Sequence, residues 1–214
     1  MKRNIRHFQP EAVAKFGVGV DNIDGELAKK YGVKALNAPG QNSNAVAELT
    51  VAMILDLLRH VMPLHKDMEK GLWTRFIGSE IKGRTVGLLG FGAIARLVAK
   101  KLQCFNVEVT RIRPVSKVRQ AAKEIGVRMT TQEEVITKSD IVSIHIPATP
   151  ETHHLFNKET IASMKDGAYL INPARGALVD LDAVAEALTS GKLAGAAMDA
   201  FEVEPLPLDS PILK

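Results

Sequence analysis

Residues Gly90-Phe91-Gly92-Ala93-Ile94-Ala95 set two glycines and a small residue at fixed offsets, directly after the aliphatic run Thr85 to Leu89. In that context the spacing suits a pyrophosphate. Gly90 permits a tight turn, Gly92 lets the backbone approach the anion, and Ala95 lets helix and strand pack closely. The helix opening there offers N–H groups and a partial positive charge to phosphates. A second chemistry-bearing group is Arg175, just past the apolar run Ala168 to Asn172. A guanidinium at the carboxyl edge of a sheet holds a carboxylate through two charge-assisted hydrogen bonds and does not lose its proton. Gly17-Val18-Gly19 is a third candidate, a glycine-bounded turn able to present backbone N–H groups.

These groups need a frame. From about Arg84 onward, short β-branched runs alternate with helical segments, which argues a parallel sheet covered by helices. Five strands are predicted: Thr85 to Leu89, Val107 to Ile112, Asp140 to His145, Ala168 to Asn172 and Leu193 to Met198. Thr131 and Glu134 have capping-box spacing, and Asp180 precedes a helix that Gly191 closes. The start of the chain reads differently. Phe16 to Val20 is predicted as a strand, Glu26 to Tyr31 as a short helix and Val33 to Asn37 as a second strand. A long amphipathic helix follows from about Asn44 to Met68, with apolar residues at Val46, Leu49, Met53, Leu57 and Val61, and Pro63 is expected to kink or interrupt it. Two strands make a poor domain alone, so a pairing partner is expected from outside this sequence.

The composition narrows the function classes. Of 214 residues, 46% are hydrophobic and 24% charged, enough for one sizeable domain and part of a second, and far from the disordered range. The charge is only +4, and no run of basic residues interleaved with aromatics suggests nucleic acid. No uncharged stretch is long enough to span a bilayer, and MKRNIRHFQPE lacks a signal peptide's apolar run, so the expected address is cytoplasmic. Cys104 is the single cysteine, which excludes an internal disulfide and a multi-cysteine zinc site; no metal ligands are singled out.

Several segments run in one order along residues 15 to 205 and resemble the D-isomer-specific 2-hydroxyacid dehydrogenase family, closest to its phosphoglycerate dehydrogenase branch. They are Lys15 to Asp24, Asn37 to Glu48, the glycine loop, Ser139 to Pro147, Ile171 to Gly176 and Asp199 to Pro205. The resemblance implies a doubly wound Rossmann-type dinucleotide-binding domain with a partial flavodoxin-like substrate domain. On that reading residues 1–43 belong to the substrate domain, 44–205 to the dinucleotide domain with its interdomain helix 44–68, and 206–214 turn back toward the substrate domain. Both ends look short for the family. The implied reaction is hydride transfer between nicotinamide and a small 2-hydroxy or 2-oxo acid, with a histidine taking the hydroxyl proton. Arg175 would hold the substrate carboxylate opposite Val18 and Gly19. Gly90, Phe91, Gly92, Ala93, Ile94, His145, Pro147, Thr149, Pro173 and Ala174 would line the cofactor. Asp199 would bond the nicotinamide carboxamide, and Glu204 would pair with the catalytic histidine; Glu202 has the right chemistry but the wrong position.

That histidine is not assigned. In the family it follows the Glu-Pro pair, and the nine residues after Pro205 contain none. His7, His60, His65, His145, His153 and His154 are the candidates, and His153 and His154 read as solvated loop residues. A dinucleotide-binding module without turnover therefore stays open beside the dehydrogenase. The cofactor reads as NAD(P)(H), with NADP(H) favoured. Arg113 stands where NAD-binding sites carry an acid for the ribose 2′-hydroxyl, with Arg111 and Lys117 nearby and Glu108 too early in the strand. The long helix and the segment through Trp73 resemble the family's dimer-forming region, which implies a homodimer. Phosphoglycerate, hydroxypyruvate, glyoxylate and other oxo acids are not separated.

Overall fold

The computed structural model describes residues 10–15, 17, 19, 23–112 and 126–213. The chain divides into two compact units, Met1–Val46 and Ala47–Lys214.

In the first unit β1 (Ala12–Lys15) and β2 (Lys34–Asn37) pair in parallel, with α1 (Gly25–Lys30) as the crossover. Asp24 caps α1, its carboxylate accepting from the Leu27 N–H at 3.0 Å. Among its described residues Ala28 and Val33 form a small buried cluster, with Val13 and Leu27 against it. β2 is exposed along its whole length among the described residues. The first strand lies earlier than the sequence suggests. The described pairing runs from Ala12 to Lys15, Gly17 has φ of +136°, and Phe16, Val18 and Val20 of the predicted strand lie outside the described residues.

The predicted long helix is two helices, α2 (Ser43–Arg59) and α3 (Val61–Glu69). The break falls at His60, whose φ is +56°, rather than at Pro63. Proline lacks an N–H and its ring crowds the carbonyl four residues back, so the first helix must stop at Arg59 and Pro63 sits in the opening turn of the next. Asp56 stitches the break by accepting from the Met62 N–H at 2.9 Å.

The second unit is a six-stranded, wholly parallel sheet. Its strands are β3 (Thr85–Leu89), β4 (Glu108–Ile112), β5 (Arg128–Thr130), β6 (Ile141–Ile144), β7 (Ala168–Asn172) and β8 (Leu193–Met198), in the order β5-β4-β3-β6-β7-β8. β5 went unread in the sequence because three residues at an edge carry no period. Four helices are described around it: α4 (Ala93–Leu102), α5 (Gln132–Lys138), α6 (Lys158–Ser163) and α7 (Leu181–Thr189). Both faces are covered, and the strands show it by alternation. Val86, Leu88, Ile141, Tyr169 and Ile171 join α2 and α4 in one core cluster. Leu89, Val142, Ile144, Ala168 and Leu170 join α5, α6 and α7 in the other. Gly87 completes the second face, where a Cβ would lie 2.9 Å from Val135 Cγ1, so α5 rests directly on the strand.

Helix ends follow local chemistry. Thr131 accepts from the Glu134 N–H at 3.1 Å, but Glu134 reaches forward to Lys138 at 2.7 Å, leaving half of the expected capping box. Asp180 accepts from the N–H groups of Asp182 and Ala183. Among the described residues no helix is long and apolar enough to cross a membrane.

The order of strands reverses between β3 and β6, so the connections from these two strands leave in opposite directions and open a crevice at their carboxyl ends. Phe156 is fully buried at the base of the loops beside it and forms a parallel bridge to Val179. Truncation by Phe156→Ala should cost about 3–5 kcal/mol in urea denaturation, because a cavity is left that loops anchored at both ends cannot refill.

Candidate active site

The glycine loop lies at the point of strand reversal. Gly90 has φ of +107°, and a Cβ there would sit 2.5 Å from the His145 carbonyl oxygen. The loops leaving β3 and β6 thus meet main chain to main chain, which no other residue type allows. Gly92 is the N-cap of α4, makes no side-chain cap, and an added Cβ would meet nothing within 4 Å. The helix end therefore faces open space with main chain on view, which fits an anion held by N–H groups. Ala95 is fully buried against the sheet, the close packing its size permits. Phe91 lies under Arg111 of β4, whose guanidinium carbon is 4.0 Å from the ring centroid. Arg111 is fully buried, a neighbour of the loop signalled in the sequence by a charge within an apolar strand. Glu108 at the start of that strand bonds Arg128 at 2.7 Å.

Beyond β6, His145 packs between the crossing loops with its Nε2 3.0 Å from the buried Ser143 Oγ. Burial lowers its pKa to about 4, so the imidazole is neutral near pH 7. The chain then passes Pro147 and Thr149 into a locked turn. Thr152 Oγ1 accepts from the Thr149 N–H at 2.8 Å and donates to the Pro147 carbonyl at 2.9 Å.

The edge formed by β7 and β8 holds the remaining candidates. Asn172, fully buried, accepts from the Ala174 N–H at 3.1 Å and donates to the Arg175 carbonyl at 2.8 Å, folding Pro173, Ala174 and Arg175 into a compact loop. Its own carbonyl accepts from the Asp199 N–H at 3.0 Å. In the sequence Asn172 is one letter of the Ile171 to Gly176 motif; its organising role needs the fold to be seen. Arg175 is half-buried, with Nη1 donating to the Ala174 carbonyl at 2.7 Å. Gly176 packs against the segment after β8 so closely that a Cβ would lie 2.0 Å from the Phe201 carbonyl carbon. That segment carries Glu204, whose Oε1 accepts from the Phe201 N–H at 3.0 Å. Local burial first, and the Glu204 charge second, raise the Asp199 pKa above the usual carboxylate value.

Gly90 to Gly92, His145, Pro147, Thr149, Pro173, Ala174, Arg175, Asp199 and Glu204 thus lie on loops at the carboxyl ends of the strands, with Ala93 and Ile94 in the first turn of α4. Gly19 belongs to the first unit, and Gly17 there accepts at its carbonyl from the Ala38 N–H at 3.0 Å. Val18, Arg113, Lys117 and His7 lie outside the described residues. His153 and His154, read as solvated loop residues, keep about half and a third of their side-chain surface exposed, and both are bonded to Glu202, at 2.9 and 2.8 Å.

A doubly wound parallel sheet with a glycine-lined helix N-terminus at its strand reversal defines a Rossmann-type dinucleotide-binding domain. Residues 51–214 match the family profile described as D-isomer specific 2-hydroxyacid dehydrogenase, NAD binding domain. The chain belongs to this family. It is 44% identical over 203 residues to D-3-phosphoglycerate dehydrogenase of Bacillus subtilis, covering 94% of this chain and 38% of that protein. Glyoxylate reductase of Thermofilum pendens is 40% identical over 210 residues, covering 95% and 62%. Among solved structures, NAD-dependent formate dehydrogenase from Staphylococcus aureus in complex with NAD matches with a TM-score of 0.82 at 34% identity, over 94% of this chain and 61% of that one. D-lactate dehydrogenase from Aquifex aeolicus, complexed with NAD and lactic acid, matches with a TM-score of 0.78 at 36% identity, over 90% and 58%. The chain therefore spans between about two fifths and three fifths of the length of these relatives.

Two outcomes test this geometry. Gly176→Ala should destabilise the fold, by about 1–3 kcal/mol or more, and lower dinucleotide affinity, because main chain at Phe201 and Glu202 must move; a melting curve with a binding titration reads both. His145 has a native pKa below its unfolded value, so the unfolded chain binds the extra proton between about pH 6.5 and pH 4. Stability should therefore fall as the pH drops through that window, and His145→Gln should flatten the fall in a pH series of denaturation midpoints.

Proposed function

We propose that this chain supplies the cofactor side, and part of the substrate side, of an NAD(P)-dependent oxidoreductase acting on a small 2-hydroxy or 2-oxo acid in the cytoplasm. The observation that carries the reading is that the open α4 N-terminus and the Arg175 loop both lie at the carboxyl ends of one parallel sheet. Residues 1–43 are read as part of the substrate-binding domain, 44–205 as the dinucleotide domain and 206–214 as the return segment.

The residues present suit a dinucleotide: an uncapped helix end at Gly92, free space where a Cβ would stand, and a neutral imidazole beside it. A bound nicotinamide dinucleotide supplies or accepts the hydride. Gly90, Phe91, Gly92, Ala93 and Ile94 hold the pyrophosphate through main-chain N–H groups. His145, Pro147, Thr149, Pro173 and Ala174 shape the walls, and Asp199 accepts from the carboxamide. Arg175 holds the acid's carboxylate by charge-assisted bonds. Glu204 accepts from the imidazole of the histidine that moves the hydroxyl proton and keeps that ring oriented.

NADP(H) is the favoured cofactor. Arg113 follows the exit of β4, and the only acid of that strand, Glu108, is paired with Arg128 at the opposite end. Titration with NADPH and NADH, followed by nicotinamide fluorescence, should show tighter binding of NADPH. Arg113→Asp should move the preference toward NADH, and an unchanged preference would overturn the assignment. Arg175→Ala should lower kcat/KM for the oxo acid about 100-fold or more while dinucleotide affinity stays the same. A homodimer is proposed through α3 and the segment after it, where Met62, Met68, Leu72, Trp73 and Ile77 are exposed. Light scattering should give twice the chain mass, and a monomer at all concentrations would remove this proposal.

A further inference from the structure

Three side chains converge without any part in the reaction proposed above. His153 and His154 lie between β6 and α6, and Glu202 follows β8. His153 Nε2 donates to Glu202 Oε1 at 2.9 Å, and His154 Nε2 donates to Oε2 at 2.8 Å, so each carboxylate oxygen receives one imidazole. The rings stack, with centroids 4.0 Å apart and planes 20° from parallel, which brings both Nε2 atoms to one side. One donor atom from each of the three residues falls within 4.8 Å of the other two.

The arrangement is built from both sides. The His154 N–H donates to the Ala177 carbonyl at 2.8 Å, and the Phe156 N–H to the Leu178 carbonyl at 3.0 Å, tying the histidine loop to the turn after Arg175. Glu202 is fixed from behind, since its own backbone nitrogen would lie 2.1 Å from a Cβ at Gly176. His154 has φ of +46°, a conformation a branchless glycine would hold more easily, yet an imidazole stands there. All three side chains are between about a third and a half exposed, so an ion in solution reaches them.

We propose that His153, His154 and Glu202 form a binding site for a divalent transition-metal ion, zinc(II) in the first instance. Two imidazole nitrogens and one carboxylate oxygen suit zinc and its neighbours in the first transition row, whereas magnesium and calcium favour all-oxygen sets. Tetrahedral zinc with bonds of about 2.0–2.1 Å spaces its ligand atoms about 3.4 Å apart, so small side-chain rotations complete the set. The two N–H···O bonds are exchanged for metal bonds, each neutral imidazole carries its proton on Nδ1, and water fills the remaining position. The bound ion would clamp the loop after β6 to the segment that carries Glu204. This site does not depend on the dinucleotide reading.

The purified chain, stripped with chelator, should be titrated with zinc(II) against a chromophoric chelator, and with cobalt(II) by visible absorption. One equivalent of zinc and a tetrahedral cobalt band are expected. Glu202→Gln and His153→Gln should each weaken zinc binding at least about tenfold and abolish the band. His65→Gln, which alters the separate exposed His65–Glu69 pair, should leave both unchanged. Circular dichroism checks the fold of each variant. His153 is half-exposed, so its variant carries the test if Glu202→Gln unfolds. Absence of zinc uptake, or equal affinity in His153→Gln and the parent, would overturn the proposal.

Discussion

The close approach of Gly90 to the His145 carbonyl is the constraint on which the rest of the candidate site depends. Parallel strands deliver their connections to the same edge, and the reversal of order between β3 and β6 sends two of them apart from adjacent starting points. For the α4 N-terminus to open onto that gap, the loop before it must lie flat against its neighbour. A side chain at Gly90 would lift it away, and the helix end would then point elsewhere.

The same device recurs at the other side of the edge. Gly176 lets the turn after β7 touch the segment after β8 through main-chain atoms, and buried Asn172 holds the intervening residues by bonds to Ala174, Arg175 and Asp199. Arg175, Asp199 and Glu204 thereby share one rigid support. Positioning charged groups on loops carries an entropic cost, and fixing the loops during folding meets that cost before a ligand arrives.

Much of this was legible in the sequence because it is local. The strands β3, β6, β7 and β8 are dense β-branched or small-residue runs, and the glycine loop is recognisable from spacing with a strand before it and a helix after. What escaped is non-local or too short to have a period. β5 has only three residues and owes its place to pairing with β4. The break at His60 is dictated by Pro63, but it falls where the crowded carbonyl turn ends, three residues earlier. The bonding of His153 and His154 to Glu202 joins positions 48 and 49 apart in sequence, and only the packing at Gly176 makes them neighbours. Asn172 was visible as a letter within a motif, while its three bonds belong to the fold.

Because the two tightest contacts at this edge are made by backbone atoms and by the lack of side chains, they store no information about what is bound. Every amino acid carries the same main chain, so the residues around the crevice are free to change identity without disturbing the frame. On the function proposed above, recognition of the adenosine end, near β4, and recognition of the acid, near Arg175, would rest on separate loops. They can therefore diverge independently under selection, one scaffold serving many pairings of cofactor and substrate.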